Sequence, residues 1–191
     1  MLCWLRFDKQ CKVVCTESGN PCNADVLGWS LRSKKLFEVE IKRSKNDFLN
    51  DFRNKPKKHK MLDKVTDSRY PHFFYYAVTS DLVDFVCETL DEKGLKKYGI
   101  LTVPDSEKAF RSYMKVVRKP EKLHDLKPRD HYIDQLVSRM SSELCNLHLG
   151  IASMNDGFQR ISYLIRENLE PDVDKEDEVQ PQEPKYELVL E

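Results

Sequence analysis

The residues Phe37-Glu38-Val39-Glu40-Ile41-Lys42 alternate apolar and charged without interruption. That is the period of a β-strand, which assigns Phe37, Val39 and Ile41 to one face of a sheet and Glu38, Glu40 and Lys42 to the other. Two further strands precede it. Lys12 to Glu17 reads as the first and ends in the turn signal Ser18-Gly19-Asn20-Pro21, and Asn23 to Ser30, with its run Val26-Leu27-Gly28-Trp29, reads as the second. The polar stretch Arg32 to Lys35 turns the second strand into the third. Strands joined by such short turns form an antiparallel meander. Antiparallel pairing brings Asp25, near the start of one strand, level with Glu40, near the end of its partner. The charged row then has two readings: a solvated face whose carboxylates pair with lysines across the hairpin, or a site where two acids and a lysine meet.

After Lys42 the period changes. Ser44 and Asp47 have the spacing of a helix N-cap, Phe48, Leu49 and Phe52 follow at helical intervals, and Pro56 interrupts before Lys57 to Leu62 resumes. His72 to Thr79, containing Phe73-Phe74-Tyr75-Tyr76, is too apolar for a solvated face and is expected as a central strand with its aromatics in the core. A helix over Leu82 to Leu90 stops at Gly94, Tyr98 to Val103 is another strand, and Tyr113 to Arg118 an edge strand. Strand, helix, strand at this spacing implies parallel pairing, so the sheet is mixed and the fold class α/β. Met1 to Phe7 reads as a short amphipathic helix with Leu2, Trp4 and Leu5 as its contacts.

Beyond Pro128, Ile133, Leu136, Val137, Met140, Leu144 and Leu147 share one helical face, and a second helix is expected from about Asn155 to Leu169. The two are expected to form an antiparallel hairpin packed on the sheet or on a second copy of the chain. The domain organisation that follows is a core over residues 1–125, a C-terminal helical hairpin over 126–169 and an acidic tail over 170–191, too poor in apolar residues to order itself.

A formal charge of zero conceals two poles. Residues 32–64 hold 12 Lys or Arg against 5 Asp or Glu, whereas residues 167–191 hold 10 acids against 2 lysines. A basic segment attracts nucleic acid whatever the total charge, and an acidic tail competes for the same surface. No apolar run approaches the roughly 20 residues that cross a bilayer, and the first residues lack the pattern of a signal peptide. Together these predict a cytoplasmic protein, or a nuclear one in a eukaryote, with no membrane partner, in which the six cysteines are free thiols. Cys11, Cys15 and Cys22 lie close enough in sequence to raise the question of zinc, but their spacing is not that of a paired knuckle.

An acid, then Glu-x-Lys on the following strand, then a basic helix is a recognisable order. Asn23-Ala24-Asp25-Val26-Leu27 and Phe37 to Ser44 resemble the D and E-x-K elements of the PD-(D/E)xK nuclease superfamily, the restriction-endonuclease-like fold. Lys42-x-Ser44-x-x-Asp47-Phe48 with Asp51-Phe52, then Lys58-His59, Phe73 to Val78 and Tyr98-Gly99-Ile100-Leu101 are similar to its bacterial and phage DNA-repair-type members. The resemblance covers roughly Val13 to Val117. It departs from the pattern at Ala24, where the superfamily's name has proline, and in the shortness of the helix before the first strand.

The resemblance implies a mixed sheet flanked by helices and a metal-dependent hydrolysis of DNA phosphodiester bonds, in DNA repair or phage DNA processing. A Mg²⁺ or Mn²⁺ ion held by carboxylates neutralises the scissile phosphate and activates a water. By the same resemblance Asp25, Glu40 and the backbone carbonyl of Ile41 would hold the metal, Lys42 would orient or help deprotonate the attacking water, and Glu17 and Glu38 would support. Arg43, Lys45, Lys55, Lys57, Lys58 and His59 would contact phosphates, which supply most non-specific affinity. A nuclease that cuts both strands would work as a homodimer, and the C-terminal hairpin or the acidic tail offers a place for a protein partner. The alternative is a non-catalytic nucleic-acid-binding module of the same fold, which has no use for the trio Asp25, Glu40 and Lys42.

Overall fold

The computed structural model describes residues 1–19, 21, 23–102 and 114–169. The strands form where alternation and turn chemistry place them. β1 (Val13–Ser18), β2 (Ala24–Ser30) and β3 (Lys35–Lys42) pair antiparallel in succession. β4 (Phe73–Val78) lies parallel to β3, β5 (Gly99–Thr102) parallel to β4, and β6 (Lys115–Arg118) antiparallel to β5. The result is an α/β fold with one mixed, six-stranded sheet in the order β1-β2-β3-β4-β5-β6. The aromatic strand β4 is central and its Phe74, Tyr75 and Tyr76 are buried, as its composition requires.

Successive residues of each strand feed opposite faces. One face carries Leu27, Trp29, Leu36, Phe74 and Tyr76 into a core closed by helices, and the other carries Val26, Phe37, Val39, Tyr75 and Ala77 beneath the N-terminal segment. The helical side is built by α1 (Lys45–Asn54), α2 (Pro56–Asp63), α3 (Val83–Glu92) and the start of α4 (Asp130–Leu169), which contributes Tyr132 and Leu136. Ser44 caps α1: its Oγ accepts from the Asp47 N–H at 3.1 Å, and the Asp47 carboxylate accepts from the Arg43 N–H at 3.1 Å. Pro56 occupies the first turn of α2, where its missing N–H is no loss, so it starts a new helix. Gly94, at φ +69°, ends α3 in the left-handed conformation.

Two expectations change, and two of the clustered cysteines lie apart. The first residues wind into a π-helical turn, Trp4–Asp8, that buries Trp4 and Leu5 but leaves Leu2 exposed. Cys11 and Cys15 belong to cores on opposite faces of the sheet, so they share no metal, and Cys22 lies outside the described residues. Burial pushes the Cys11 thiol up to about 12 and the Cys15 thiol to about 11, which makes both inert. Last, the C-terminal hairpin is replaced by one helix, α4. The helix runs through Gly150 and Gly157, since glycine in a helix costs only about 1 kcal/mol and no proline lies between residues 130 and 169 to interrupt the hydrogen bonding. The chain divides into two compact units, Met1–Asn146 and Leu147–Glu191, and the acidic tail predicted over 170–191 lies outside the described residues.

The sheet also contains a pH-sensitive joint. His72, just before β4, is buried, and its Nδ1 accepts from the Leu36 N–H at 3.1 Å, so that nitrogen must be unprotonated. Burial, followed by the His124 ring whose centroid is 4.3 Å away, depresses its pKa to about 3. Below its ordinary value near 6.5 the unfolded chain takes up a proton that the folded chain refuses, so stability falls with pH across the window from about 6.5 to 3. Urea melts at pH 7 and pH 5 are expected to differ by about 2 kcal/mol from this group. A flat stability across that interval contradicts the joint.

Candidate functional site

β3 turns its charged row inward. Glu38 and Glu40 are fully buried and Lys42 nearly so, on the face that α1 and α2 cover. The reading of this row as a solvated strand face is therefore corrected, because three cationic side chains from the row and from the α1–α2 segment neutralise the acids beneath the helices. Lys42 Nζ donates to Glu40 Oε2 and to Asp51 Oδ1, each at 3.0 Å. Lys55, at the junction of α1 and α2, reaches Glu40 Oε2 at 3.1 Å and Asp51 Oδ1 at 3.3 Å. Lys58 bridges Glu38 and Glu40 while lying over the Phe74 ring at 5.3 Å. Buried charges are tolerated only when paired and hydrogen-bonded, and here three carboxylates face three ammonium groups.

Asp51, on α1, is the hub. Its Oδ2 accepts from the Tyr76 hydroxyl at 2.7 Å and meets His59 Nε2 at 3.2 Å, while His59 Nδ1 lies 3.2 Å from the Tyr98 hydroxyl. Although desolvation opposes ionisation, His59, Lys42 and Tyr76 together hold the Asp51 carboxyl far below the usual carboxylate range. Glu40 is also held low: burial raises its pKa, but Lys58 and Lys42 more than offset that. Burial would lower the Lys42 pKa, yet Glu40 and Asp51 raise it, so Lys42 is an ammonium at neutral pH. It can donate hydrogen bonds and orient a water; taking a proton is not open to it in this state. Tyr76 reads from the sequence only as a core aromatic and Tyr98 only as the start of a strand, and both put their hydroxyls into this network.

Asp25 stands at the open end. The β2–β3 register pairs Val26 with Val39, and the next rung sets Asp25 level with Glu40, as the meander predicts. Its Oδ2 accepts from the Ile41 N–H at 2.6 Å. A strand residue turns its N–H and C=O to the same side, which directs the Ile41 carbonyl toward Asp25 as well. Asp25 is half-buried and, among the described residues, forms no ion pair. Desolvation raises its pKa, with Glu40 adding to the rise against the Ile41 hydrogen bond. It lines a depression of about 760 Å³ together with Glu17, Ile41, Arg43 and Asp47.

The remaining sequence candidates separate. Glu17 shares the depression with Asp25, whereas Glu38 lies deep beside Lys58. Arg43, Lys45 and Lys57 are exposed, as phosphate contacts must be. Lys58 and His59 are not: both are buried, Lys58 on the acids and His59 stacked on Phe52 at 4.5 Å, so their assignment as surface phosphate contacts is corrected. Lys55 is intermediate, with 31% of its side chain exposed against 6% for Lys42 and Lys58.

Among the described residues, no group of three or more His, Cys, Asp or Glu side chains is arranged to hold a metal. The carboxylates that stand level on the β2–β3 rung are those of Asp25 and Glu40. Both are hard donors, a set that suits Mg²⁺ or Mn²⁺ and not zinc. In this state Glu40 already carries ammonium groups on both oxygens.

No family model and no curated protein matches the chain. It is similar to one solved structure, the SPO1766 protein of unknown function from Silicibacter pomeroyi, at a TM-score of 0.48 and 16% identity over 74% of this chain and 80% of that one. That degree of likeness carries neither fold nor function across. No described helix is long and apolar enough to cross a membrane.

Proposed function

We propose that this chain is a metal-dependent nuclease with a restriction-endonuclease-like core, hydrolysing DNA phosphodiester bonds in DNA repair or phage DNA processing. One observation carries the reading: at the open end of the β2–β3 rung Asp25 forms no ion pair among the described residues, accepts from the Ile41 N–H, and stands level with Glu40, which holds the Lys42 ammonium. A divalent ion bound by Asp25, Glu40 and the Ile41 carbonyl would neutralise charge on the scissile phosphate and acidify a water. Lys42, fixed by Asp51 and Glu40, would donate to a non-bridging phosphate oxygen and orient the water toward the phosphorus that it attacks. Arg43, beside the depression, and exposed Lys45 and Lys57 supply phosphate contacts.

One observation favours the second reading, a nucleic-acid-binding module without catalysis: the acids of the buried network are already neutralised by lysines. Incubation with supercoiled, linear and branched DNA separates the two. The nuclease cuts with Mg²⁺ or Mn²⁺ and stops with chelator; a module that only retards DNA, equally with chelator present, overturns the proposal.

Lys55 follows from the same reading. It is the most accessible ammonium on Glu40, and a divalent ion there competes with it. Lys55→Met is therefore expected to tighten Mn²⁺ binding about tenfold in calorimetric titration, through relief of like-charge repulsion of roughly 1.4 kcal/mol. Equal affinity in variant and wild type means that Lys55 does not contest the metal position.

A further inference from the structure

α4 carries a stripe that its own fold does not use up. Ile133 and Met140 pack on the core of the sheet at a helical spacing of seven residues. The same heptad stripe continues in Leu144, Leu147, Ile151 and Met154, where exposure rises to 67%, 62%, 50% and 63%. In sequence the three-four spacing runs on without a break through Phe158, Ile161 and Ile165. An apolar repeat sustained over this many heptads is the signature of a helix that seats against another helix by knobs-into-holes packing.

We propose that the C-terminal half of α4 is a coiled-coil interface for a second copy of this chain. Three features select that occupant. The flanking positions of the stripe from Leu144 to Ile165 are His148, Gly150, Asn155, Gly157, Ser162 and Leu164, so no Asp, Glu, Lys or Arg sits where coiled coils place the charges that choose an unlike partner. Two identical helices therefore meet without like-charge repulsion, and a two-fold interface needs only a self-complementary patch. Over residues 147–154 the stripe alternates Ile151, branched at Cβ, with Leu147 and Met154, which are not, the order that favours two strands. From Leu144 to Ile165 the stripe runs about 33 Å along the helix, long enough to present three heptads to a second copy. The inference rests on the stripe alone and is independent of the nuclease reading.

Sedimentation equilibrium of the full chain tests it. Wild type is expected near twice the 22.5 kDa chain mass. The double variant Leu147→Glu with Ile151→Glu is expected at the single-chain mass, its changes confined to exposed positions. Ser153→Glu, exposed and off the stripe, is expected to stay dimeric. Wild type at the single-chain mass, a double variant that still dimerises, or loss of the dimer in Ser153→Glu each overturns the proposal. So does a monomeric wild type that dimerises only when residues 171–191 are removed, since the tail is then the occupant of the stripe.

Discussion

Glu40→Ala is expected to destabilise the fold by about 3–5 kcal/mol, because it strips Lys42, Lys55 and Lys58 of a shared partner inside the protein. A domain of this size is stable by only about 5–15 kcal/mol, so the variant loses a large share of its margin. Glu40→Gln keeps the shape and two acceptor lone pairs but not the charge, and its loss is expected to be smaller. Urea unfolding of the three proteins orders them wild type, Gln, Ala. If alanine costs less than about 1 kcal/mol, which is the worth of an exposed ion pair, the buried network contributes nothing of the kind described. This coupling has a consequence for any assay: lost activity in Glu40→Ala or Lys42→Ala mixes lost chemistry with lost structure.

The strands were legible because their signals are local. Alternation in β3, the apolar density of β4 and the turn residues between β1, β2 and β3 fix both their identity and the level pairing of Asp25 with Glu40. The burial of the charged row was not legible from β3 itself. An alternating strand looks the same whether its polar face meets water or meets lysines arriving from a helix, and the difference lies in α1 and α2. A signal for it did exist. Asp51 falls between Phe48 and Phe52 on the inward face of α1, and Lys55 lies one turn further on, so helical periodicity alone points both at the sheet. Tyr76 and Tyr98 could have been added on the ground that a buried tyrosine hydroxyl seeks a partner. The long α4 was read as two helices, although the stretch between them, Leu147 to Asn155, holds no proline and its apolar three-four spacing continues, so nothing in it ends a helix.

The residue that separates chemistry from stability is Asp25. It forms no ion pair among the described residues and contacts the backbone at Ile41, so its replacement leaves Lys42, Asp51 and Lys58 paired. The decisive measurement is nicking of supercoiled plasmid DNA in Mg²⁺ by wild type and Asp25→Asn, both shown to unfold at similar urea concentrations. The account predicts chelator-sensitive cleavage by wild type and a loss of about a thousandfold or more in the variant, the several kcal/mol that a bound divalent ion contributes. Cleavage by a stably folded Asp25→Asn at the wild-type rate contradicts it.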